Sequence, residues 1–240
     1  MNIVDVIILL TIVFGALLGF KRGFTHSFLS FVGLIVVVIL AYFFKNPISE
    51  FFYTYLPFFK FGGILKGVTV LNILVYELIA FFMVLGILMF LYKTVILVSK
   101  IFEKLLKATI ILGIPSKLLG MLFGALQSFV VVFLLLYVVS LPIFSFPELK
   151  NSKFTKPILT KVPLLNTVAH KMVGVADEFG SLVDIYKKEP NAEKFNLETL
   201  DLFLKYKVIK PRSVQKLVDK GKLKFDKGAL NAVLSKYKEG

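Results

Sequence analysis

The sequence predicts an all-α integral membrane protein with four transmembrane helices, an amphipathic connector helix on their cytoplasmic face and a small helical C-terminal tail. Three observations carry this. Four apolar runs are each close to or longer than the ~20 residues that cross a bilayer, in a chain that is 57% apolar with mean hydropathy +0.83. Charge is unevenly divided: residues 1–142 hold 10 Lys/Arg and 4 Asp/Glu, whereas residues 143–240 hold 19 and 11. Finally, the stretch GALLGFKRGF sets Gly15, Gly19 and Gly23 four residues apart and meets Lys21 and Arg22 before a second apolar run begins. Glycines at that spacing share one side of a helix and let another backbone approach. The two charges then hold a hairpin turn at one face of the bilayer.

The first span, residues 2–20, carries one charge, Asp5, near its outer end and so at headgroup level. It lacks the positive leading region and small-residue cleavage site of a signal peptide, and is read as a retained helix. Residues 27–44 form a span without formal charge, ended by Lys45, Asn46 and Pro47. Residues 68–92 form the third, with Asn72 and Glu77 inside it. The fourth, residues 118–141, stops at Pro142, holds Gln127 and repeats the four-residue spacing with Gly120, Gly124 and Ser128. Spans one and four should therefore each pack closely on a neighbour, either each other or a second protomer.

Two connectors have their own chemistry. Seven of the eleven residues 51–61 are aromatic, and Pro57 with Gly62-Gly63 opposes a spanning helix. Aromatic rings favour the headgroup level, so an interfacial or shallow re-entrant loop is expected, a belt in preference to a gate. In residues 95–112, Val98, Ile101, Phe102, Leu105 and Leu106 share one helical face, and Lys100, Glu103, Lys104 and Lys107 the other. Such a helix lies in the membrane surface; packing on the tail is the alternative.

These elements divide the chain into a membrane domain (1–142), a proline-containing linker (143–163) and a basic helical tail (164–240). In the tail, Leu165 through Tyr186 follow a helical period. Asn196 should cap a helix running to about Lys207, Pro211 should open another that closes before Gly221, and Asp226 should cap the last. The resulting three-helix unit of about 45 residues buries little core alone and must lean on the membrane, the long helix or a second copy.

The loops after spans one and three carry seven positive charges, among them Lys21, Arg22, Lys100, Lys104 and Lys107; the opposite side carries six. By the positive-inside rule those loops are cytoplasmic and both termini outside. The basic excess belongs to membrane flanks and not to a nucleic-acid surface.

No reaction signature is present: no G-x-S-x-G elbow, HExxH, phosphate-binding loop or dinucleotide fingerprint. With no cysteine and two histidines, disulfides, thiolate chemistry and histidine-rich metal sites are excluded. The expectation is a protein that is not an enzyme and takes no cofactor or metal. Glu77 needs its own account, because a mid-span carboxylate costs about 2.5–3.5 kcal/mol. It is expected to lock helices together, with Lys66 or Gln127 as partner; an ion or proton pathway is the alternative.

Taken in order, Asp5, the Gly19-Phe20-Lys21-Arg22-Gly23-Phe24 turn, Asn46-Pro47-Ile48-Ser49, the amphipathic connector and the run from Leu119 to Leu126 make residues 1–145 resemble the colicin V production protein (CvpA) family. Two departures stand out. Gln127-Ser128 occupies the place of that family's usual Arg-Gly, and the basic residue at the junction into the fourth span is met only loosely, by Lys117. The resemblance implies a multi-pass protein of the bacterial cytoplasmic (inner) membrane, linked to toxin production and export and to envelope homeostasis. Some relatives add an external protease domain, but this tail is too short and lacks a triad, so no catalytic residue carries over. The function expected is a scaffold or accessory factor for export or envelope proteins, oligomeric through its glycine faces. A channel or transporter subunit using Glu77 is the alternative. A third reading has the basic tail bind anionic lipid or wall polymer.

Overall fold

The computed structural model describes residues 2–106, 114–140, 149, 151–161 and 166–237, with backbone alone for residues 64, 96–106, 161, 166–173 and 176. Every regular element among them is helical. Helix α1 (Ile3–Arg22) opens with a capping box, in which the Asn2 side chain accepts from the Asp5 N–H and the Asp5 carboxylate from the Asn2 N–H. It closes at Gly23, whose φ of 80° lies in the left-handed region that favours glycine. Helix α2 (Phe24–Tyr55) follows at once.

α2 corrects the expected stop at Lys45-Asn46-Pro47, because the helix passes through Pro47 and continues to Tyr55. Buried residues hold it on both sides of the proline, Ala41 before and Ser49 and Tyr53 after, and packing of this kind is what lets a membrane helix carry a proline. Phe51 to Tyr55 are therefore the last turns of α2, and the irregular part of the aromatic stretch shrinks to residues 56–62, followed by a 3-10 turn at Gly63–Leu65.

Helix α3 (Leu71–Leu106) joins the third span to the first part of the expected connector helix without a break. No glycine or proline stands between Gly86 and Gly113 to interrupt it. Lys100 and Lys104 lie on this helix, while Lys107 and the connector through residue 112 fall outside the described residues. Helix α4 (Ile114–Val139) has Pro115 in its first turn, where a missing N–H does no harm.

Helix α5 (Thr155–Lys161) forms inside the linker. Its start is fixed by Ser152, whose hydroxyl accepts from the N–H groups of Phe154 (3.3 Å) and Thr155 (3.1 Å). The tail holds α6 (Asn166–Lys188), α7 (Ala192–Lys205), α8 (Pro211–Asp219) and α9 (Lys227–Ser235). Asn191 caps α7, accepting from Lys194 N–H at 3.0 Å, so Asn196 is not the cap but a buried residue one turn into the helix. Pro190 and the helix formers Ala192 and Glu193 move the start forward. Asp226 caps α9 through Ala229 N–H at 2.9 Å.

The chain forms two compact units, and α2 and α3 each contribute to both. One contains α1, residues 24–45 of α2, residues 81–106 of α3, α4 and the segment leading into α5. Its core includes Ile8, Leu34, Val37, Phe81, Val130, Phe133 and Leu136. The other contains residues 46–80 and the tail. There Val68, Val70, Leu71, Ile73 and Leu74 share one core with Val175, Phe179, Leu200, Phe203, Val214 and Leu217. The tail therefore leans on the first turns of α3 and the chain before it.

Candidate functional site

Within the first unit, α1 and α4 cross at their glycines. A Cβ on Gly15 would collide with the Ser128 hydroxyl and stand 2.8 Å from the Gly124 carbonyl oxygen. On Gly19 it would meet the Gly120 carbonyl and stand 2.8 Å from Gly124 Cα, and on Gly120 it would lie 2.6 Å from the Gly23 carbonyl carbon. Backbone thus touches backbone, with Gly15 opposite Gly124 and Ser128, and Gly23 opposite Gly120. The two triples meet each other, and the helices run antiparallel. Ser116 Oγ accepts from Phe24 N–H at 3.1 Å, tying the hairpin turn to the start of α4. The buried Ser27 hydroxyl donates to Gly19 O at 3.3 Å.

Beside the crossing is a partly open cleft of about 70 Å³ lined by Gly15, Leu18, Gly19, Arg22, Ser27, Gly124, Gln127 and Ser128. Gln127 lines this cleft, and Ser49, which the sequence did not single out, is a partner of Glu77. Lys21 and Arg22 are exposed at the C-terminal end of α1, where cations complement the helix dipole. A second close approach was not anticipated from sequence: the Tyr92 ring lies against Gly33 and its hydroxyl donates to Leu29 O at 2.7 Å. A lone glycine in a charge-free run was the available signal.

Asp5 is 0% exposed and enclosed by protein. Its Oδ1 accepts from Ser152 Oγ at 2.6 Å and from the N–H groups of Lys153 (3.0 Å) and Phe154 (3.3 Å), while Oδ2 accepts from Asn2 N–H at 3.0 Å. The carboxylate thereby clasps the start of α1 to the segment before α5.

In the second unit, Glu77 is 8% exposed and accepts from the Ser49 hydroxyl at 2.7 Å. The apolar part of α2 ends at Phe44, and Ser49 lies five residues on, about 7.5 Å along the axis. Glu77 therefore meets α2 past its charge-free run. Asn72, fully buried, acts as a peptide mimic: its Oδ1 accepts from Phe59 N–H at 2.6 Å, and its Nδ2 lies 3.1 Å from Phe59 O and from Thr69 O. Asn196 does the same from the tail, accepting from Thr69 N–H (2.9 Å) and Val70 N–H (3.2 Å) and donating to Gly67 O (2.9 Å). Tyr76 OH donates to Pro57 O. Residues 57–70 are thus pinned by two amides and a phenol.

Further out on the tail, Glu178 accepts from Lys205 Nζ (2.7 and 2.8 Å) and from Tyr206 OH (2.7 Å). The Lys205 ammonium first, then the Tyr206 hydroxyl, hold its carboxyl below the usual carboxylate range. The same bonds, led by Glu178, push Lys205 and Tyr206 up. Lys222 Nζ donates to Tyr53 O (2.9 Å) and Leu56 O (2.6 Å), and burial, with neighbouring Lys220, pushes its ammonium down.

Both clasps connect segments that lie on the same side only if the intervening chain crosses the bilayer an even number of times: four runs between Asp5 and Ser152, two between Gly67 and Asn196. With four helices long and apolar enough to cross, this is a multi-pass helical membrane protein. The chain belongs to the Colicin V production protein family, whose sequence pattern matches residues 4–163. It is also similar to the uncharacterized transmembrane protein YshB of Bacillus subtilis (strain 168), 28% identical over 180 residues, covering 70% of this chain and 96% of that one. No solved structure matches the chain. The family match ends before α6, so the tail from residue 164 onward lies beyond it.

Proposed function

We propose that this family member is a non-enzymatic scaffold or accessory factor in the bacterial cytoplasmic membrane, working with export or envelope proteins and assembling as an oligomer. The observation that supports this reading is what its buried polar groups touch. Asp5, Asn72, Glu77 and Asn196 each bond a hydroxyl or main-chain groups of a segment distant in sequence. They fasten a frame. On this reading the Lys21-Arg22 turn is cytoplasmic and both termini are outside, as the positive-inside rule favours. The family description, Colicin V production protein, supports a link to toxin production.

Crosslinking in native membranes, with identification of the attached chains, tests the proposal. A small, reproducible set of envelope or export proteins supports it, and recovery of no partner counts against it. In liposomes, solute or ion flux through the wild type that falls in Glu77→Gln would replace the scaffold reading with a conducting one.

A further inference from the structure

The lipid-facing stripe of α2 does not end where its apolar run does. Leu40 and Phe44 are exposed, as membrane contact requires, and in helical register with them Pro47, Phe51 and Tyr55 are exposed as well. Successive steps of four, three, four and four residues keep these five positions on one face. Phe51 is 56% exposed and Tyr55 64%, with their ring centroids 4.9 Å apart; Phe59, just past the helix, is 50% exposed. Three large aromatic groups open to the surroundings within nine residues is not how a water-facing surface is built.

Lysines accompany them. Lys220 Nζ stands 3.9 Å from the centre of the Tyr55 ring, Lys222 Nζ 5.2 Å from that of Phe58, and Lys60 is exposed next to Phe59. Residues 205–227 hold nine Lys/Arg against two Asp/Glu. Lys205 and Lys216 are paired, with Glu178 and Glu50. Rings at the level of the headgroups with cationic side chains around them match the chemistry of a bilayer surface carrying negative charge.

We propose that the edge formed by Phe51, Tyr55, Phe59, Lys60 and Lys220 is a binding site for anionic phospholipid. The rings enter the headgroup–acyl boundary and the two ammonium groups meet the lipid phosphates. The occupant is lipid because the edge continues a stripe that already faces lipid, and because an anionic wall polymer would need the lysines but not the rings. The inference does not depend on the scaffold reading.

The chain contains no tryptophan, so Tyr55→Trp supplies a single fluorescent reporter in the full-length protein. It is reconstituted in vesicles of phosphatidylcholine with 20% phosphatidylglycerol, with bromine on one lipid or the other, near the headgroup end of the acyl chain or deep within it. The result expected is stronger quenching by shallow bromine than by deep bromine, and quenching by brominated phosphatidylglycerol above its share of the lipid. At about fivefold per lysine, adding Lys60→Gln and Lys220→Gln should remove that enrichment. Arginine at both positions should restore it, separating charge from any structural effect. A reporter unquenched by either lipid overturns the proposal, as does equal enrichment with and without the lysines. Soluble poly(glycerol phosphate) that abolishes phosphatidylglycerol enrichment in the wild-type background at equal phosphate would also overturn it and assign the edge to a wall polymer.

Discussion

The crossing of α1 and α4 and the core around Leu71 hold helices together by opposite means. At the crossing, glycines and one serine let peptide groups touch. In the core around Leu71, large side chains such as Phe179 and Phe203 are 2% and 0% exposed. Lipid tails are as apolar as leucine, so helices in a bilayer gain nothing by hiding leucine from them and depend on close van der Waals contact. The tail has water to escape from and gains from each apolar area it buries. One chain therefore tolerates change in two opposite ways: at the crossing added atoms are harmful, and in the core removed atoms are.

The sharpest way to break the comparison is from the core side. Phe203→Ala should cost about 3–5 kcal/mol and free the tail to proteolysis while leaving the four apolar helices membrane-bound. A tail that stays resistant would mean it is held by something other than its core. Next comes the crossing. Gly124→Leu forces a branched side chain into Gly15 and Gly19 and should cost about 3 kcal/mol, the upper end for overpacking, read as a lower unfolding temperature in detergent. Gly86 has nothing within 4 Å of an added Cβ, so Gly86→Leu should leave that temperature unchanged. Equal effects at the two glycines would show that bulk anywhere in these helices is harmful.

A smaller effect tests the amide clamp. Asn196→Ala leaves the N–H groups of Thr69 and Val70 without their acceptor and should cost about 1–3 kcal/mol, seen as faster hydrogen exchange at those two residues. The smallest is electrostatic. Glu178 is held below its ordinary range, so its contribution is complete above that range and disappears as pH falls through its lowered value. Lys205 and Tyr206 are held up, so their contributions are complete below their ordinary values and disappear as pH rises through the raised ones. The pair's side chains are 53% and 44% exposed, which keeps the effect small and screened by salt. Glu178→Gln should slightly flatten the acid side of the stability profile.

How much of this was readable beforehand follows the same division. Runs of apolar residues and glycines at constant spacing are periodic, so the four crossing helices and both triples are visible as pattern. The bond between Ser49 and Glu77 is not, because Ser49 is one serine among several and the pairing joins residues 28 apart. Asn191 and Asn196 look alike as caps, and only the fold decides that the second serves Thr69 and Val70. Pro47 reads as a terminator by local rules, and it is overruled by burial at Ala41, Ser49 and Tyr53 that no window around the proline reveals. The local alphabet describes elements well; contacts between a side chain and a distant main chain have no period to detect.

The clasp at Asp5 has a consequence for biogenesis. Its two ends, Asp5 and Ser152, are separated by 147 positions, so the first is synthesised long before the second. During that interval the carboxylate has no serine to receive it and must stay hydrated on its own side of the bilayer. It closes only when the last apolar segment has been threaded and residue 152 has arrived. A nascent chain halted after the third segment would still display this acid to water, and a completed one would not, so its shielding marks the end of insertion.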